Sequence, residues 1–484
     1  MSTLCYPNRS ILLKRLALIP ATLAMLHAVN SLAAAAPTPT SADSTDYTTL
    51  PVQRMGTRLH QRTSAPSQKT ATKARYVTSL ATLPNDPLAA QQWNFMSATT
   101  YTGAADNFNA HIHNGSSSEV IVAVVDSGVI LTHEDLRTLP GYDFVSTAEI
   151  GNDGDGRDAD PSDPGDWVTQ DDQQSGTVSA GCETSDSSWH GTAIAGIIGA
   201  ASFNDTGIAG GAPRVSLLPV RITGRCGGFI HDMIDGIRWS AGLPVAGVPV
   251  NPYPARVINL SVGFAGDCSK ALQSAINDAT EAGSLIVAAA TNSAVDLDTT
   301  PYSPATCENV LSIAANTREG TLADYSAYGS EVFLTAPGGT RSDAIITTEN
   351  GSNSAPAPES SYGYHYGTSL AAAHVSAGAA TLLSIDSGLS NTELSNLLQN
   401  SSVVMSESSI CRAGGCGFGR LNVNRAVRIL TDEQLTDDSA RPPVGAASAS
   451  SPETESNSGS GLIQLPDLFF YLITLISLRK FCNN

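Results

Sequence analysis

Between residues 83 and 430, short apolar runs of strand length alternate with alanine-rich stretches of helix length. Five runs are typical of parallel strands that are buried on both faces of a sheet: 120–125, 216–220, 257–260, 285–289 and 310–314. Helices are predicted between them at 233–241, 269–282 and 370–384. Because parallel strands require crossover connections, this alternation predicts a layered α/β domain with a parallel sheet.

The N-terminal region, residues 1–36, has the features of a secretory signal peptide. Basic residues at its start precede an apolar stretch at 16–29, and small residues follow at 31–36. A membrane anchor is the alternative, but the apolar stretch is short for a spanning helix. Residues 37–80 are rich in Thr, Ser, Pro, Lys and Arg, so we expect a pro-segment or linker there. The patterned region that follows, residues 81–430, is long enough to form one large folded domain.

The C-terminal region begins with a Ser/Pro/Ala/Glu-rich stretch at 431–461, which predicts a flexible linker. An apolar segment with two basic residues after it then occupies 462–484. This arrangement resembles the C-terminal sorting tags of exported Gram-negative bacterial proteins, and a permanent membrane anchor is the alternative. We expect removal of the tail, a mature N-terminus near residues 76–85, and a secreted monomer that is associated with the cell envelope until the tail is cut.

The charge and the cysteines limit the partners and the compartment. A net charge of −19 argues against a nucleic-acid partner, because a polyanion would be repelled. Six of the eight cysteines lie between the predicted signal peptide and the C-terminal tail. An even number of cysteines in an exported domain predicts three disulfides, and the CxxC and HxxxH spacings of a zinc site are missing. Pairing of sequence neighbours is the simplest of the many arrangements open to Cys182, Cys226, Cys268, Cys307, Cys411 and Cys416.

A glycine-rich acidic loop at 151–167 suggests a bound calcium ion. Asp153, Asp155, Asp158 and Asp160 supply hard oxygen ligands of the kind that Ca²⁺ prefers, and without a cation their charges would repel one another. The alternative is a solvated acidic surface loop. Calcium is therefore the expected cofactor, with a structural role.

Three polar residues stand at the ends of apolar elements. Asp126 ends the strand in VAVVDSG, and His190 begins a helix of small residues in SSWHGTAIAG. Ser369 follows a Gly-Thr turn and begins an alanine-rich helix. Each alone has a structural explanation: a strand-ending aspartate, a buried histidine with satisfied nitrogens, or a helix N-cap. Together, in the order Asp, His, Ser, they match the chain order that the triad has in the subtilisin class.

The residues around these three positions carry a family resemblance. The blocks DSG, HGTxxAG and GTSxAxxH resemble the three signature blocks of the subtilase family, and the resemblance extends from residue 84 to 430. It implies a three-layer subtilisin-like α/β fold with a central, mostly parallel sheet flanked by helices. It also implies that Ser369 is the nucleophile, that His190 is its base, and that Asp126 orients His190.

Three further blocks are also similar to the family. VAAATN resembles the block whose asparagine donates to the oxyanion, which gives that role to Asn292. VINLSVG resembles the edge segment that pairs with the substrate backbone, which places Ser261, Val262 and Gly263 along the substrate. Asp135 and Asn204 match positions of a family calcium site.

The resemblance predicts a secreted serine endopeptidase that cleaves extracellular proteins through an acyl-enzyme intermediate, with polypeptides as its partners. A catalytically idle binding protein of the same fold is one alternative, although all four chemical positions are filled. An esterase of the α/β-hydrolase type is another, but that class has GxSxG around its serine, and the sequence here is GTSLA.

Overall fold

The computed structural model describes residues 83–111, 118–178, 181–405 and 408–431, together with the backbone of two short strands at 53–54 and 57–58. All of them belong to one unit, Met1–Arg441. The predicted signal peptide, the rest of the predicted pro-segment, the C-terminal linker after residue 431 and the hydrophobic tail lie outside the described residues.

A seven-stranded sheet forms the centre of this unit. Its strands are β3 (Val120–Asp126), β4 (Tyr142–Asp143), β5 (Val215–Arg221), β8 (Val257–Leu260), β10 (Leu285–Ala289), β12 (Val310–Asn316) and β13 (Val332–Pro337). Their order in the sheet is β13-β12-β10-β8-β3-β5-β4, and every neighbouring pair is parallel. The parallel sheet that the alternation predicts is therefore confirmed.

Alternate residues of each central strand pack into two different cores. In β10, Val287 belongs to one core, whereas Ile286 and Ala288 belong to the other. The helices His190–Gly199 and Thr368–Ile385 pack in the first core, and Ile230–Ser240 and Lys270–Glu281 pack in the second. Helices thus cover both faces of the sheet, which is the predicted three-layer α/β arrangement.

Smaller elements complete the unit. Additional strands are β1 (Gln53–Arg54), β2 (Thr57–Arg58), β6 (Thr223–Gly224), β7 (Gly227–Gly228), β9 (Val262–Ala265), β11 (Tyr302–Ser303), β14 (Ile345–Asn350) and β15 (Ser360–Tyr366). Additional α-helices are Asn107–Ala110, Ala148–Gly151, Gln170–Ser175, Asn391–Ser401, Ser409–Arg412 and Val423–Leu430. Two 3-10 turns lie at Ala89–Gln91 and Trp93–Phe95. The small strands form the sheets β1-β9-β11, β14-β15-β2 and β6-β7.

The predicted elements are present with small differences at their ends. The strands at 257–260 and 285–289 have the predicted bounds, whereas those at 120–125, 216–220 and 310–314 extend by one or two residues. The antiparallel pairing of β14 with β15 is not predicted, because the half-buried strand β15 is rich in Ser and Tyr and lacks an apolar run.

Three disulfides connect the six cysteines of the domain in the simplest arrangement. They join Cys182 to Cys226, Cys268 to Cys307, and Cys411 to Cys416. Among the described residues, the helix Thr368–Ile385 is long and apolar enough to span a membrane, but 94% of it is buried inside the domain. It is therefore a core helix.

Candidate active site

Three neighbouring strands deliver polar residues to the same edge of the central sheet. Strand β3 ends at Asp126, β8 is followed at once by Ser261, and β10 is followed after two residues by Asn292. The registers align β3 with β8 and β8 with β10, so these carboxyl ends lie side by side. Ligands of parallel sheets bind at this edge.

Asp126 and His190 form a buried hydrogen-bonded pair. Nδ1 of His190 lies 2.7 Å from Oδ1 of Asp126, and the two residues are 2% and 0% exposed. Because a carboxylate only accepts, Nδ1 carries the proton of this bond and Nε2 of a neutral ring keeps its lone pair. Among the residues that the structure describes, none forms a hydrogen bond with Nε2 of His190.

Gly191 allows the helix that begins at His190 to approach β3. A Cβ atom at Gly191 would collide with the carbonyl oxygen of Gly128, so a larger residue would push the helix away from Asp126. The Gly191 N–H donates to Oγ of Ser127 at 3.0 Å, and Ser127 donates to Asp163 at 2.9 Å. The residue after Asp126 therefore fixes the start of the histidine helix.

Ser369 lies in the first turn of the helix Thr368–Ile385. The N-cap is Gly367, whose φ of 145° favours glycine, so Ser369 is not a capping residue. Its hydroxyl donates to the carbonyl oxygen of Ser261 at 3.0 Å, and Oγ of Ser261 donates to the carbonyl oxygen of Ser369 at 3.0 Å. This reciprocal pair holds Ser369 at the sheet edge beside Asp126 and Asn292.

Two further polar residues anchor this arrangement, and the family motifs do not single them out. Nδ2 of Asn259 donates to Oγ of Ser261 at 2.8 Å, and Ser376 donates to Oδ1 of Asn259 at 2.8 Å. All of these residues are buried. The signal available in the sequence is an asparagine inside the apolar strand VINL and a serine two helical turns after Ser369.

Asn292 has a fixed amide orientation. Its Oδ1 accepts from the backbone N–H and from the hydroxyl of Thr368, both at 2.9 Å. A backbone N–H can only donate, so the amide oxygen must face Thr368 and the amide nitrogen must face away from it. Asn292 can therefore present a donor next to the first turn of the serine helix.

His374, the last residue of the third signature block, is structural. Its Nδ1 faces the carbonyl oxygen of Leu370 at 2.6 Å, and its Nε2 accepts from Nδ2 of Asn94 at 2.8 Å. Complete burial lowers the pKa of His374 to about 4, so the ring stays neutral.

The carboxylates of the predicted acidic calcium loop each bind a different group of the protein. Asp153 forms a salt bridge with Arg221, which also binds Asp143. Partial burial acts to raise the pKa of Asp153, but the Arg221 guanidinium outweighs this effect, and the pKa is lowered. Asp158 accepts from the Asp160 N–H at 2.8 Å, and Asp160 accepts from the Ser162 N–H at 3.1 Å. In the described part of the chain, no three acidic, histidine or cysteine side chains converge on one point.

Asp135 occupies a different environment. Its carboxylate accepts from Nδ2 of Asn204 at 2.9 Å, from the Ile208 N–H at 3.0 Å, and from the Tyr362 hydroxyl at 3.3 Å. Burial raises the pKa of Asp135 to about 6, and the carboxylate of Asp86 adds to the increase. Across the described residues, no arginine or lysine forms a salt bridge with Asp135.

This edge of the sheet holds the groups that acyl transfer by a serine requires. They are a hydroxyl at a helix N-terminus, an imidazole oriented by a carboxylate, and an amide donor beside the hydroxyl. The fold and the site together have the features of a class of serine hydrolases in which the reacting groups stand at the carboxyl edge of a parallel sheet.

The comparisons with known proteins agree with this class. The model of the subtilase family matches residues 117–437. The chain is 38% identical over 347 residues to an extracellular protease of Xanthomonas campestris pv. campestris, covering 71% of the chain and 56% of that protein. It is 40% identical over 367 residues to an extracellular basic protease of Dichelobacter nodosus, covering 75% of the chain and 58% of that protein. A solved protease structure from Pseudoalteromonas arctica matches with a TM-score of 0.65 and 37% identity, covering 72% of this chain and all of that one.

The chain belongs to the subtilase family, because the family model matches more than half of it. It spans 56% and 58% of the lengths of the two curated relatives.

The first prediction concerns Arg221, which neutralises two aspartates beside the site. Arg221→Met should lower the free energy of unfolding by about 3–5 kcal/mol, because it leaves the buried carboxylate of Asp143 without a positively charged partner. Urea denaturation followed by tryptophan fluorescence measures this change.

The matched control is the double variant Arg221→Met with Asp143→Asn, which removes the unpaired charge and keeps an acceptor for the Val145 N–H. It should recover at least half of the lost stability. A single variant that loses less than about 1 kcal/mol would show that Asp143 does not depend on Arg221.

Proposed function

We propose that this protein is a secreted serine endopeptidase that hydrolyses peptide bonds of extracellular proteins through an acyl-enzyme intermediate. One observation carries the proposal: the buried pair of Asp126 and His190 leaves Nε2 of His190 without a hydrogen-bond partner in the described part of the chain, at the edge of the sheet where the helix of Ser369 begins. An unpaired buried nitrogen is costly to maintain, which favours a functional role for it.

In this proposal Nε2 of His190 takes the proton from the Ser369 hydroxyl as Oγ attacks the substrate carbonyl. The hydroxyl must first leave the carbonyl oxygen of Ser261, to which it donates in the free protein. Such catalytic hydrogen bonds often form only once substrate is bound. Asp126 stabilises the imidazolium, which then protonates the leaving amine.

Two donors would stabilise the oxyanion of the tetrahedral intermediate. One is Nδ2 of Asn292, whose amide is oriented by Thr368. The other is the Ser369 N–H, which lies among the helix N–H groups that have no intrahelical partner. Both are positioned before substrate arrives, so little reorganisation is needed during the reaction.

The substrate would bind as an extended strand along Ser261, Val262 and Gly263. Val262 and Gly263 belong to β9, and at these two residues β9 pairs antiparallel with the two-residue strand β1, so this backbone accepts an extended strand. Strand addition recognises backbone rather than side chains, which suits an endopeptidase acting on many proteins. The names of the two relatives, both extracellular proteases, support export of this chain.

The second prediction separates the nucleophile from the oxyanion donor. Ser369→Ala should reduce turnover by about 10⁶, and Asn292→Ala by about 10²–10³ with KM nearly unchanged, since the oxyanion bond forms mainly in the transition state. Steady-state hydrolysis of a chromogenic peptide measures both.

Ser384→Ala is the matched control, because it removes a buried hydroxyl at the far end of the same helix and should leave turnover unchanged. A Ser369→Ala protein that kept a tenth of the activity would refute the nucleophile assignment. If Asn292→Ala raised KM and left turnover intact, Asn292 would position substrate instead.

We further propose that calcium is a structural cofactor and that Asp135 and Asn204 are among its ligands. The fit is better here than in the acidic loop, because Asp135 is buried near a second carboxylate, Asp86, whereas Asp153 is neutralised by Arg221. A hard divalent cation would offset the cost of burying these charges. Asp155, Asp158 and Asp160 remain predicted ligands of a second ion.

The third prediction is that calcium binding stabilises the folded protein. At a hundredfold excess over its Kd, calcium should add about 2.7 kcal/mol, and a chelator should remove this gain. Thermal denaturation with calcium and with chelator measures the difference. Asp135→Asn should reduce this shift more than Asp158→Asn does, and equal midpoints in the unaltered protein would end the calcium proposal.

A further inference from the structure

A strained residue lies directly before Asn292. Thr291 has a φ of 104°, whereas the other non-glycine residues with left-handed φ in the described part of the chain have values between 50° and 65°. It is also the only β-branched residue among them. Glycine adopts such a φ readily, but a β-branched residue is a true outlier there, because its side chain crowds the backbone. Strain that a protein retains is typical of functional sites.

The side chain of Thr291 is held in place by two other hydroxyl groups. Its Oγ1 lies 3.1 Å from Oγ of Ser293, and Tyr302 forms a side-chain hydrogen bond with Thr291. Thr291 is 1% exposed and Tyr302 is 6% exposed, so the pair is shielded from water. None of these hydroxyls takes part in the proposed proton transfer, and the mechanism therefore leaves the strain at Thr291 unexplained.

Tyr302 connects two segments that border the proposed substrate. Its backbone belongs to β11 and pairs with Ala265 of β9, the strand along which the substrate would bind. Its side chain reaches Thr291, which follows the end of β10 by two residues. The Tyr302 ring therefore crosses the space between the segment after β8 and the segment after β10.

This space lies next to the reacting groups. Strands β8 and β10 are parallel neighbours in the sheet, so the segments that follow them begin side by side. One segment starts with Ser261, whose carbonyl oxygen is 3.0 Å from Oγ of Ser369, and the other contains Asn292. A peptide carbonyl that reacts with Ser369 and turns its oxygen toward Asn292 must lie between the two segments. The space between them is the pocket for the side chain of the residue that supplies this carbonyl.

We propose that Thr291 and Tyr302 form the floor of this pocket and make it shallow, so that the protein cleaves peptide bonds after glycine, alanine or serine. This inference rests on the proposed protease function and adds to it the class of peptide bond that is cut. It also gives the strain at Thr291 a role. Glycine would relieve the strain, but it would remove the side chain that anchors the Tyr302 ring and would deepen the pocket.

The floor selects substrates by size. The Thr291 hydroxyl already interacts with Ser293 and Tyr302, so it is not free to recognise a polar group of the substrate. A buried aromatic side chain needs about 150–250 Å² of contact area, which a closely packed interior provides only if neighbouring groups move. A single methylene group changes the specificity of a pocket by about 10- to 200-fold. We therefore expect at least tenfold discrimination against leucine and phenylalanine.

Four peptide p-nitroanilides that differ only in the residue before the anilide test this preference on the unaltered, matured protein. That residue is glycine, alanine, leucine or phenylalanine. The value of kcat/KM should be at least tenfold higher for the alanine peptide than for the leucine and phenylalanine peptides. A ratio below ten for either large residue would overturn the proposal.

Thr291→Gly tests the floor itself and keeps the backbone conformation, since glycine tolerates the positive φ. The ratio of kcat/KM for the phenylalanine peptide to that for the alanine peptide should rise at least threefold. It should rise further in Thr291→Gly with Tyr302→Ala, which also removes the ring. The ratio cancels any change at Asn292, because both peptides depend on that donor equally. An unchanged ratio in Thr291→Gly would contradict the proposal, whether or not the double variant folds.

Asn309→Gly is the matched control. It also removes a side chain at a residue with left-handed φ, 64°, but it lies just before β12 and hence at the opposite edge of the same sheet. The ratio for the two peptides should equal that of the unaltered protein. A change as large as that in Thr291→Gly would show that the preference does not arise from the pair of Thr291 and Tyr302.

Digestion of casein separates this proposal from the protease function. The fragments, identified by mass spectrometry, should end mainly in glycine, alanine or serine. If casein is cut mainly after large residues, the protease function stands and the assignment of the pocket floor is wrong. If neither casein nor any of the four peptides is hydrolysed, the protease function itself is wrong.

Discussion

The hydrogen bond between Asp126 and His190 is the interaction on which the site depends. It fixes the ring so that Nδ1 faces Asp126 and Nε2 faces away from that carboxylate, and it is short and fully buried. The bond exists because β3 ends at Asp126 and because Gly191 lets the following helix approach that strand. A parallel sheet therefore does more than form the core, since the ends of its strands set the positions of the chemical groups.

A buried polar network connects the other half of the site to the same sheet. Ser376, Asn259 and Ser261 link the serine helix to β8, and the chain of bonds ends on Ser369. Buried polar groups of this kind are costly unless every partner is present, so the network specifies one position of the helix relative to the sheet. Precise placement of Ser369 thus depends on Asn259 and Ser376 as well as on its direct partner Ser261.

Much of the fold and of the site could be predicted from local patterns. Strands β8 and β10 were predicted with their exact bounds because they are apolar and buried on both faces. Asp126, His190, Ser369 and Asn292 could be found because each stands in a family motif. The disulfide partners follow the order of the cysteines along the chain.

The rest depends on contacts between distant parts of the sequence. The acidic loop was expected to share a cation, but Asp153 pairs with Arg221, which is 68 residues away and carries no local signal of this role. The placement of β1 on β9 joins residues 53 and 263, and no periodicity within either segment reveals it. Such pairings follow from the assembled fold.

The central claim is that Ser369 is a nucleophile activated by His190. Treatment of the matured protein with a serine-directed phosphonate, followed by intact mass and peptide mapping, tests it directly. The account predicts one adduct per molecule, located on Ser369, and no adduct in a His190→Ala variant over the same period. Labelling at another serine, or equal labelling of the His190→Ala variant, would contradict the account.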